Sequence, residues 1–233
     1  MLNNLKTAGL LAGLGALCMA IGAAFGGRNG LAIGLGIGFA LTAGSSFDRV
    51  RTEFLGRIAD RDTRLLSIEA LLGVLEGHTE EDVNEVNAPA IAEERGIQTE
   101  ETKSRAARDY TDLVRVTLTC GEDSLRVAGT LIGRRNRPHL LEAWGHRFDL
   151  QLEDHLTLFR YRDVPGMIGR VGTCFGEHGV NIVSAAVGRE PGTDDATAGV
   201  AAMAITTDAP VPREVIDEIV ADEGFFDGRT VSL

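Results

Sequence analysis

The stretch Asp163-Val-Pro-Gly166 stands directly before a predicted helix and combines residue types that suit the binding of a small ligand. Asp163 can take an ammonium group, and Pro165 favours a helix start. Gly166 lets a ligand approach the backbone, where free amides at a helix N-terminus favour a carboxylate. Asn181, just after that helix, offers both a donor and an acceptor. From these residues alone, a simple helix-capping turn at Asp163 is the favoured interpretation.

A second group of side chains is basic within an acidic chain, whose formal net charge is -11. Arginine side chains can bind phosphate or carboxylate groups through two hydrogen bonds, so the group is a candidate anion-binding site. A solvated hairpin loop explains it at least as well. The members are Arg134, Arg135, Arg137, His139, His146 and Arg147.

Other features argue against catalysis, a metal or a cofactor in this chain. Gly13-Leu-Gly15 and Gly34-Leu-Gly36 lack the third glycine of a dinucleotide-binding fingerprint, and no acidic residue precedes Asp48. The three cysteines are widely spaced, which predicts neither a metal site nor a disulfide framework and fits a reducing compartment. We therefore expect no catalytic residue, no metal ligand and no bound NAD. The acidic balance also argues against nucleic-acid binding.

The chain divides into an apolar head and a densely charged body. Residues 1–45 carry only Lys6 and Arg28 as charges. The runs 7–25 and 30–44, joined by a glycine-rich turn, predict a transmembrane helical hairpin, with residues 8–44 in the membrane. The cationic residues that flank the hairpin place both of its ends, and the body, in the cytoplasm. A cleaved signal peptide is the less favoured alternative.

The body has the patterns of a mixed α/β protein. Residues 49–58 predict a strand, and a helix follows with Leu65, Ile68, Leu72 and Leu75 on one stripe. The charged trio Asp60, Asp62 and Arg64 is better explained by capping of this helix than by an active site. A second short helix starts at Asn87 and ends at Gly96. Two β-rich runs around Gly121 then predict a hairpin.

The C-terminal part, from His155 onward, has the element order βαββαβ, which is the ferredoxin-like plan. Its first helix should bury Ile168, Val171 and Phe175 on one face, and Cys174 should pack in the core. The predicted domains are a membrane hairpin over 1–46, an α/β domain over 47–153 and a ferredoxin-like domain over 154–233. The fold class is therefore α+β.

Two resemblances to known families extend these predictions. Residues 1–41 resemble the membrane hairpin of HtpX-type metalloproteases, but none of the five histidines begins the H-E-x-x-H motif that such a protease needs, so a protease is disfavoured. The stretch DVPGMIGRVGTCFGEHGVNIVSAAVGR is similar to the ACT domain that ends many D-3-phosphoglycerate dehydrogenases. GRIADRDTRLLSIEALLGVLEG, VNEVNAPAIAEERGI and YTDLVRVTL resemble the allosteric substrate-binding domain before it.

The second resemblance implies a regulatory, amino-acid-binding module of L-serine biosynthesis. In ACT domains a small amino acid binds where two domains meet, beside the loop after the first strand. This resemblance implies a homodimer and L-serine contacts from Tyr161, Asp163, Gly166 and Asn181. It also implies an anionic effector near Arg134, Arg135, Arg137, His139 and Arg147.

Three interpretations stay open at this point. In the first, the chain is a regulatory module without catalysis of its own, because the catalytic half, to which NAD belongs, has no counterpart before residue 50. The chain could also be a piece of an NAD-dependent D-3-phosphoglycerate dehydrogenase that oxidises 3-phosphoglycerate. The abrupt change of family near residues 42–50 could also reflect a gene fusion or an assembly artefact, in which case the body would be cytoplasmic without an anchor.

Overall fold

A computed structural model of the chain describes residues 47–75, 82–107, 109–188 and 199–232. These residues form two compact units that divide between Trp144 and Gly145. The predicted membrane hairpin over residues 8–44 lies outside the described residues. Each unit is built around a sheet, so the α+β class predicted from the sequence is confirmed.

The first unit is a mostly antiparallel sheet with two helices packed against it. Its first two strands run parallel and are joined through both helices, and the following strands are antiparallel, in the spatial order β2-β1-β3-β4-β5. In chain order the elements are β1 (Arg49–Gly56), a 3-10 helix (Arg57–Asp60), α1 (Arg64–Leu75), α2 (Ala88–Glu94), β2 (Gln98–Ser104), β3 (Asp112–Cys120), β4 (Asp123–Ile132) and β5 (Arg137–Ala143).

The core of this unit lies between the helices and one face of the sheet. Val50 on β1 and Val116 and Leu118 on β3 meet Leu71 and Leu75 of α1. On the other face of the sheet, a guanidinium nitrogen of Arg115 lies 3.3 Å from a carboxylate oxygen of Glu53. The period-2 pattern therefore separates an apolar, helix-covered face from a face that carries ion pairs.

The predicted stripe on α1 is wrong at its first member. Leu65 is 47% exposed, whereas its neighbour Leu66 is buried. The second half of α1 is buried on nearly all sides, from Glu69 to Leu75. Periodicity fails here because a helix held between a sheet and a second helix has more than one apolar face. The second helix does end at the predicted glycine, Gly96, which has a φ of 71°.

The second unit contains a four-stranded antiparallel sheet in the order β10-β7-β9-β8, with two helices packed on one face. This is the predicted ferredoxin-like βαββαβ arrangement, which is confirmed. Strand β6 precedes it and belongs to the same unit. The elements are β6 (His146–Gln151), β7 (His155–Arg162), α3 (Met167–Glu177), β8 (Ile182–Gly188), β9 (Val200–Thr207), α4 (Arg213–Ala221) and β10 (Phe225–Ser232).

The core of the second unit is centred on Phe159 in the middle of β7. Its ring centroid lies 6.2 Å from that of Phe175 on α3 and 5.8 Å from that of Phe225 on β10. Val171 and Phe175 are fully buried, as predicted, but Ile168 is 55% exposed. Its helical spacing predicts a core position for Ile168, but the side chain faces outward in the first turn of α3. Cys174 belongs to this core, also as predicted.

Gly228 on β10 leaves the space that the Phe159 ring occupies. A Cβ built at this position would lie 2.8 Å from the Phe159 ring and 2.7 Å from Val220. We expect Gly228→Ala to lower the free energy of unfolding by about 1–3 kcal/mol, because the core around it must shift. Urea unfolding of the purified chain measures this change.

Gly172, in the interior of α3, provides a control of opposite sign. No atom outside its own helix lies within 4 Å of a Cβ built there. Gly172→Ala should therefore stabilise the chain by about 0.5–1 kcal/mol through helix propensity. Equal effects of the two substitutions would contradict the packing described around Gly228.

Candidate functional site

A pocket of about 540 Å³ opens beside the turn that joins β7 to α3. Its volume falls within the range common for small-molecule sites. One wall is the turn itself and the first turn of α3, and the other is the end of β8. The lining residues are Tyr161, Asp163, Val164, Pro165, Gly166, Met167, Ile168, Gly169 and Val187.

Backbone hydrogen bonds hold the turn in place. The amide of Asp163 donates to the carbonyl of Gly199 over 2.9 Å, and the amide of Val164 donates to that of Arg162 over 2.8 Å. The chain then reverses at Gly166, whose φ of 96° favours glycine. Gly166 is itself the N-cap of α3, so the N-cap position carries no side chain. The helix N-terminus therefore faces the pocket with its backbone accessible.

The side chains that line the pocket combine one acidic group with apolar ones. Asp163 is half-buried. The Tyr161 side chain is buried, with its ring centroid 6.0 Å from that of Phe225. Val164, Ile168 and Val187 are all more than a third exposed. The pocket thus offers a carboxylate, a helix N-terminus and an exposed apolar rim.

Three of the four residues predicted to contact serine line this pocket, and Asn181 does not. Tyr161, Asp163 and Gly166 come together at the turn. Asn181 stands just before β8, where its side-chain amide donates to a carboxylate oxygen of Asp208 over 3.1 Å. The apolar rim was not predicted. Ile168 was assigned to the core by its spacing, and no motif marked Val187.

The predicted basic group is divided between the two units. Arg134 and Arg135 lie in the exposed turn between β4 and β5, and Arg137 and His139 follow on β5. Arg147 lies on β6 of the second unit and is exposed. His146 is buried, and its Nε2 lies 2.8 Å from the carbonyl oxygen of Val200, to which it donates. His146 therefore has a structural role.

The first unit contains a second, smaller pocket of about 130 Å³. Its polar lining includes Thr52, Ser67, Glu100 and Glu101. The Glu101 carboxylate accepts hydrogen bonds from Thr63 and Ser67. Burial opposes ionisation of Glu101, but those two hydroxyls and Lys103 together lower its pKa. An ionised carboxylate in so small a pocket disfavours a phosphate-bearing ligand there.

The charged trio at the start of α1 forms surface ion pairs, and Asp62 also accepts a hydrogen bond from a backbone amide of the helix, which is a capping contact. An Asp62 carboxylate oxygen accepts from the amide of Arg64 over 3.2 Å and from its guanidinium over 2.9 Å. Asp60 pairs instead with Arg105 over 2.8 Å. The hydrogen bond from the Arg64 side chain, with that from its amide, lowers the pKa of Asp62 to about 2.

The fold of the second unit and the position of its pocket define a class of protein, the ACT-domain proteins, and residues 155–224 match the ACT domain family. Residues 31–142 match a second family, described as the D-3-phosphoglycerate dehydrogenase intervening domain. The chain therefore belongs to the D-3-phosphoglycerate dehydrogenase family and corresponds to its C-terminal regulatory part, an intervening domain followed by an ACT domain.

Curated relatives carry the same family name. The chain is 30% identical over 190 residues to the D-3-phosphoglycerate dehydrogenase of Archaeoglobus fulgidus, covering 82% of this chain and 35% of that protein. It is 33% identical over 167 residues to that of Mycobacterium leprae (71% and 31%) and 34% identical over 189 residues to that of Methanocaldococcus jannaschii (81% and 34%). The chain spans about a third of the length of these relatives.

The comparisons do not support the resemblance of residues 1–41 to HtpX-type metalloproteases. The intervening-domain match begins at residue 31, inside that segment and inside the second predicted membrane run. Among the described residues, no helix has the length and apolar character needed to cross a bilayer. Membrane anchoring through residues 8–44 falls outside those residues and stays a prediction.

The Asp62–Arg64 pair makes a prediction about pH. An unfolded aspartate has a pKa of about 3.9, whereas that of Asp62 in the fold is about 2. The pair therefore stabilises the fold above about pH 3.9, and this contribution is lost as the pH falls through about 2. NMR titration of the Asp62 carboxyl carbon should show ionisation persisting at about pH 3.

Arg64→Gln should raise the pKa of Asp62 towards about 3.9. Arg213→Gln, which removes a cation beside Asp217 on α4, is the matched control and should leave the Asp62 titration unchanged. An Asp62 that titrates with the same low pKa in Arg64→Gln would show that the pair is not the cause.

Proposed function

We propose that this chain is a regulatory module that binds L-serine in the pocket at the start of α3 and dimerises through its ACT domain. The observation that carries the proposal is the position of the pocket. It opens beside the loop after the first strand of a domain that matches the ACT family, where ACT domains bind small amino acids. The family match supports serine as the amino acid, because the resemblance to D-3-phosphoglycerate dehydrogenases implies a role in L-serine biosynthesis.

The charges of an amino acid zwitterion match the two polar features of the pocket. The backbone amides at the start of α3 suit the carboxylate, since a helix N-terminus favours negative charge. Asp163, half-buried in the same turn, suits the ammonium group. Tyr161 closes the inner end of the pocket, which favours a small side chain over a large one.

A second copy of the domain would complete the site. Strand β8 is an edge strand of the described sheet, so its outer backbone groups can pair with another strand. Antiparallel pairing of two β8 strands brings the start of one opposite the end of the other. Asn181 of the second copy would then lie beside Val187, which lines the pocket. This arrangement accounts for the absence of Asn181 from the pocket of its own chain.

The serine regulates, in this proposal, the NAD-dependent oxidation of 3-phosphoglycerate that gives the family its name. The second interpretation is that this chain itself takes part in that reaction. Assay of the purified chain with 3-phosphoglycerate and NAD distinguishes the two. Turnover would favour the enzyme, and serine binding without turnover would favour the regulatory module.

Asp163 provides the test of the binding site. We expect L-serine to bind the full-length chain in isothermal titration calorimetry, and Asp163→Asn to weaken that affinity at least about tenfold, because an ammonium–carboxylate contact is lost. Asp217→Asn, an exposed aspartate on α4, is the matched control and should bind serine like the unmodified chain. A folded chain that gives no heat with millimolar serine would contradict the proposal.

Val183 provides the test of the dimer. This side chain is 53% exposed on the edge strand β8. Val183→Lys should shift the chain from dimer to monomer in sedimentation equilibrium, because the pairing would bring the two lysines close together as diagonal neighbours on one face. The same substitution should weaken serine binding if Asn181 acts across the interface. Thr173→Lys, exposed on α3, is the control and should leave the dimer intact.

A further inference from the structure

Three side chains of metal-ligating type converge between the end of α3 and the neighbouring helix α4. They are Cys174, His178 and Glu218, and each offers one ligand atom, so that the three atoms lie within 4.8 Å of one another. Cys174 and His178 are four residues apart and share one face of the chain at the end of α3. Glu218 projects from α4, so the cluster joins two separate elements.

The hydrogen bonds of His178 leave one ring nitrogen facing Glu218. Nδ1 lies 2.9 Å from the carbonyl oxygen of Cys174, and a carbonyl can only accept, so Nδ1 carries the hydrogen. In the neutral ring Nε2 then has a lone pair, and it lies 3.4 Å from a carboxylate oxygen of Glu218. A proton on the ring or a metal ion between these two atoms would make the contact attractive.

The thiol distinguishes this cluster from an ordinary histidine–glutamate ion pair. Its Sγ lies 3.8 Å from Nδ1 of His178, and the side chain is 9% exposed. Burial, together with the charges of Glu218 and Glu177, raises the pKa of Cys174. A metal ion, in contrast, deprotonates a thiol that it binds.

We propose that Cys174, His178 and Glu218 form a zinc-binding site that ties α3 to α4. Zinc binds thiolate sulfur at about 2.3 Å and imidazole nitrogen and carboxylate oxygen at about 2.0–2.2 Å in a tetrahedron. Those bond lengths place neighbouring ligand atoms roughly 3.3–3.6 Å apart. The Nε2–Oε2 separation of 3.4 Å already meets this spacing. All three ligand atoms lie within 4.8 Å of one another, and the exposed His178 and Glu218 would close the remaining distance to the sulfur by moving their side chains.

The surroundings of the cluster suit a metal held at the surface. The side chains of His178 and Glu218 are 39% and 57% exposed, so an ion can enter from solvent while the sulfur stays on the core side. Binding transfers the thiol proton to the buffer and leaves the fourth position of the tetrahedron for water. The bond from Nδ1 to a backbone carbonyl is the usual way in which a ligating histidine is oriented.

Cobalt(II) is the probe for this site, because a thiolate–cobalt bond gives a charge-transfer band in the near ultraviolet. The full-length Cys18→Ser/Cys120→Ser double variant keeps Cys174 as its only cysteine. We expect this variant to bind one Co²⁺ with that band and to release it on addition of Zn²⁺. The further change Cys174→Ser should abolish the band.

The two exposed ligands supply variants that leave the fold intact. His178→Gln and Glu218→Gln should each weaken Zn²⁺ affinity at least about tenfold in competition with a chromophoric chelator. Glu214→Gln, one turn earlier on α4, is the matched control and should bind Zn²⁺ unchanged. Zn²⁺ should also raise the thermal unfolding temperature of the double variant, but not that of its Cys174→Ser derivative.

Three results would overturn the proposal. One is a folded double variant without the charge-transfer band at saturating Co²⁺. Another is a band that survives Cys174→Ser. The third is equal Zn²⁺ affinity in Glu218→Gln and Glu214→Gln, which would leave the His178–Glu218 contact as a simple ion pair.

Discussion

The packing of aromatic rings around Phe159 is the constraint on which the second unit, the ACT domain, depends. Phe159 lies in the centre of β7, Phe175 comes from α3, and Phe225 begins β10. Aromatic contacts of this kind have preferred geometries, so they fix the position of a helix on a sheet as well as contributing buried area. Because Phe175 anchors α3 near its C-terminal end, the N-terminal end of the helix is held over the exit of β7. The pocket forms at that exit.

The same packing explains why the pocket is open. Helices cover only one face of the four-stranded sheet, and β8 lies at its edge. Three exposed apolar side chains lie where the start of the helix meets this edge: Ile168, Val164 and Val187. None of them belongs to the core of the unit. An exposed apolar rim beside the open edge of a sheet is unfavourable in an isolated monomer. The proposed dimer would cover this rim with a second copy, which would link ligand binding to assembly.

The sequence predicted the elements better than it predicted the contacts between them. The strand-like run at β7 and the glycine and proline signals around α3 identified the βαββαβ order, since these are local properties of the chain. Ile168 and Leu65 were misassigned for a common reason. Helical periodicity shows which residues share a stripe, but it does not show where that stripe leaves the core and reaches an edge.

The site residues show the same limit. Asp163 and Gly166 were predictable because the turn itself requires them, whereas Asn181 lies outside the pocket and bonds to Asp208, a contact distant in sequence that no local pattern shows. His146 and Arg147 are adjacent in sequence, yet a strand points them to opposite faces, so one is buried and the other exposed. Proximity in sequence therefore overstated the size of the basic group. Charge clusters on strands must be counted on alternate residues.

Helix α3 has distinct chemistry at its two ends, and this follows from its anchoring near the C-terminal end. Its 11 residues span about 16 Å, with the Gly166 turn at one end and Cys174 and His178 at the other. A side chain near the fully buried Phe175 cannot move without disturbing the core, so Cys174 is held in place. The exposed His178 and Glu218 can adjust around it. A fixed sulfur with two adaptable partners can accept a metal ion without refolding of the chain. Because one rigid helix joins the two proposed sites, a ligand at either end would act on the same packed element.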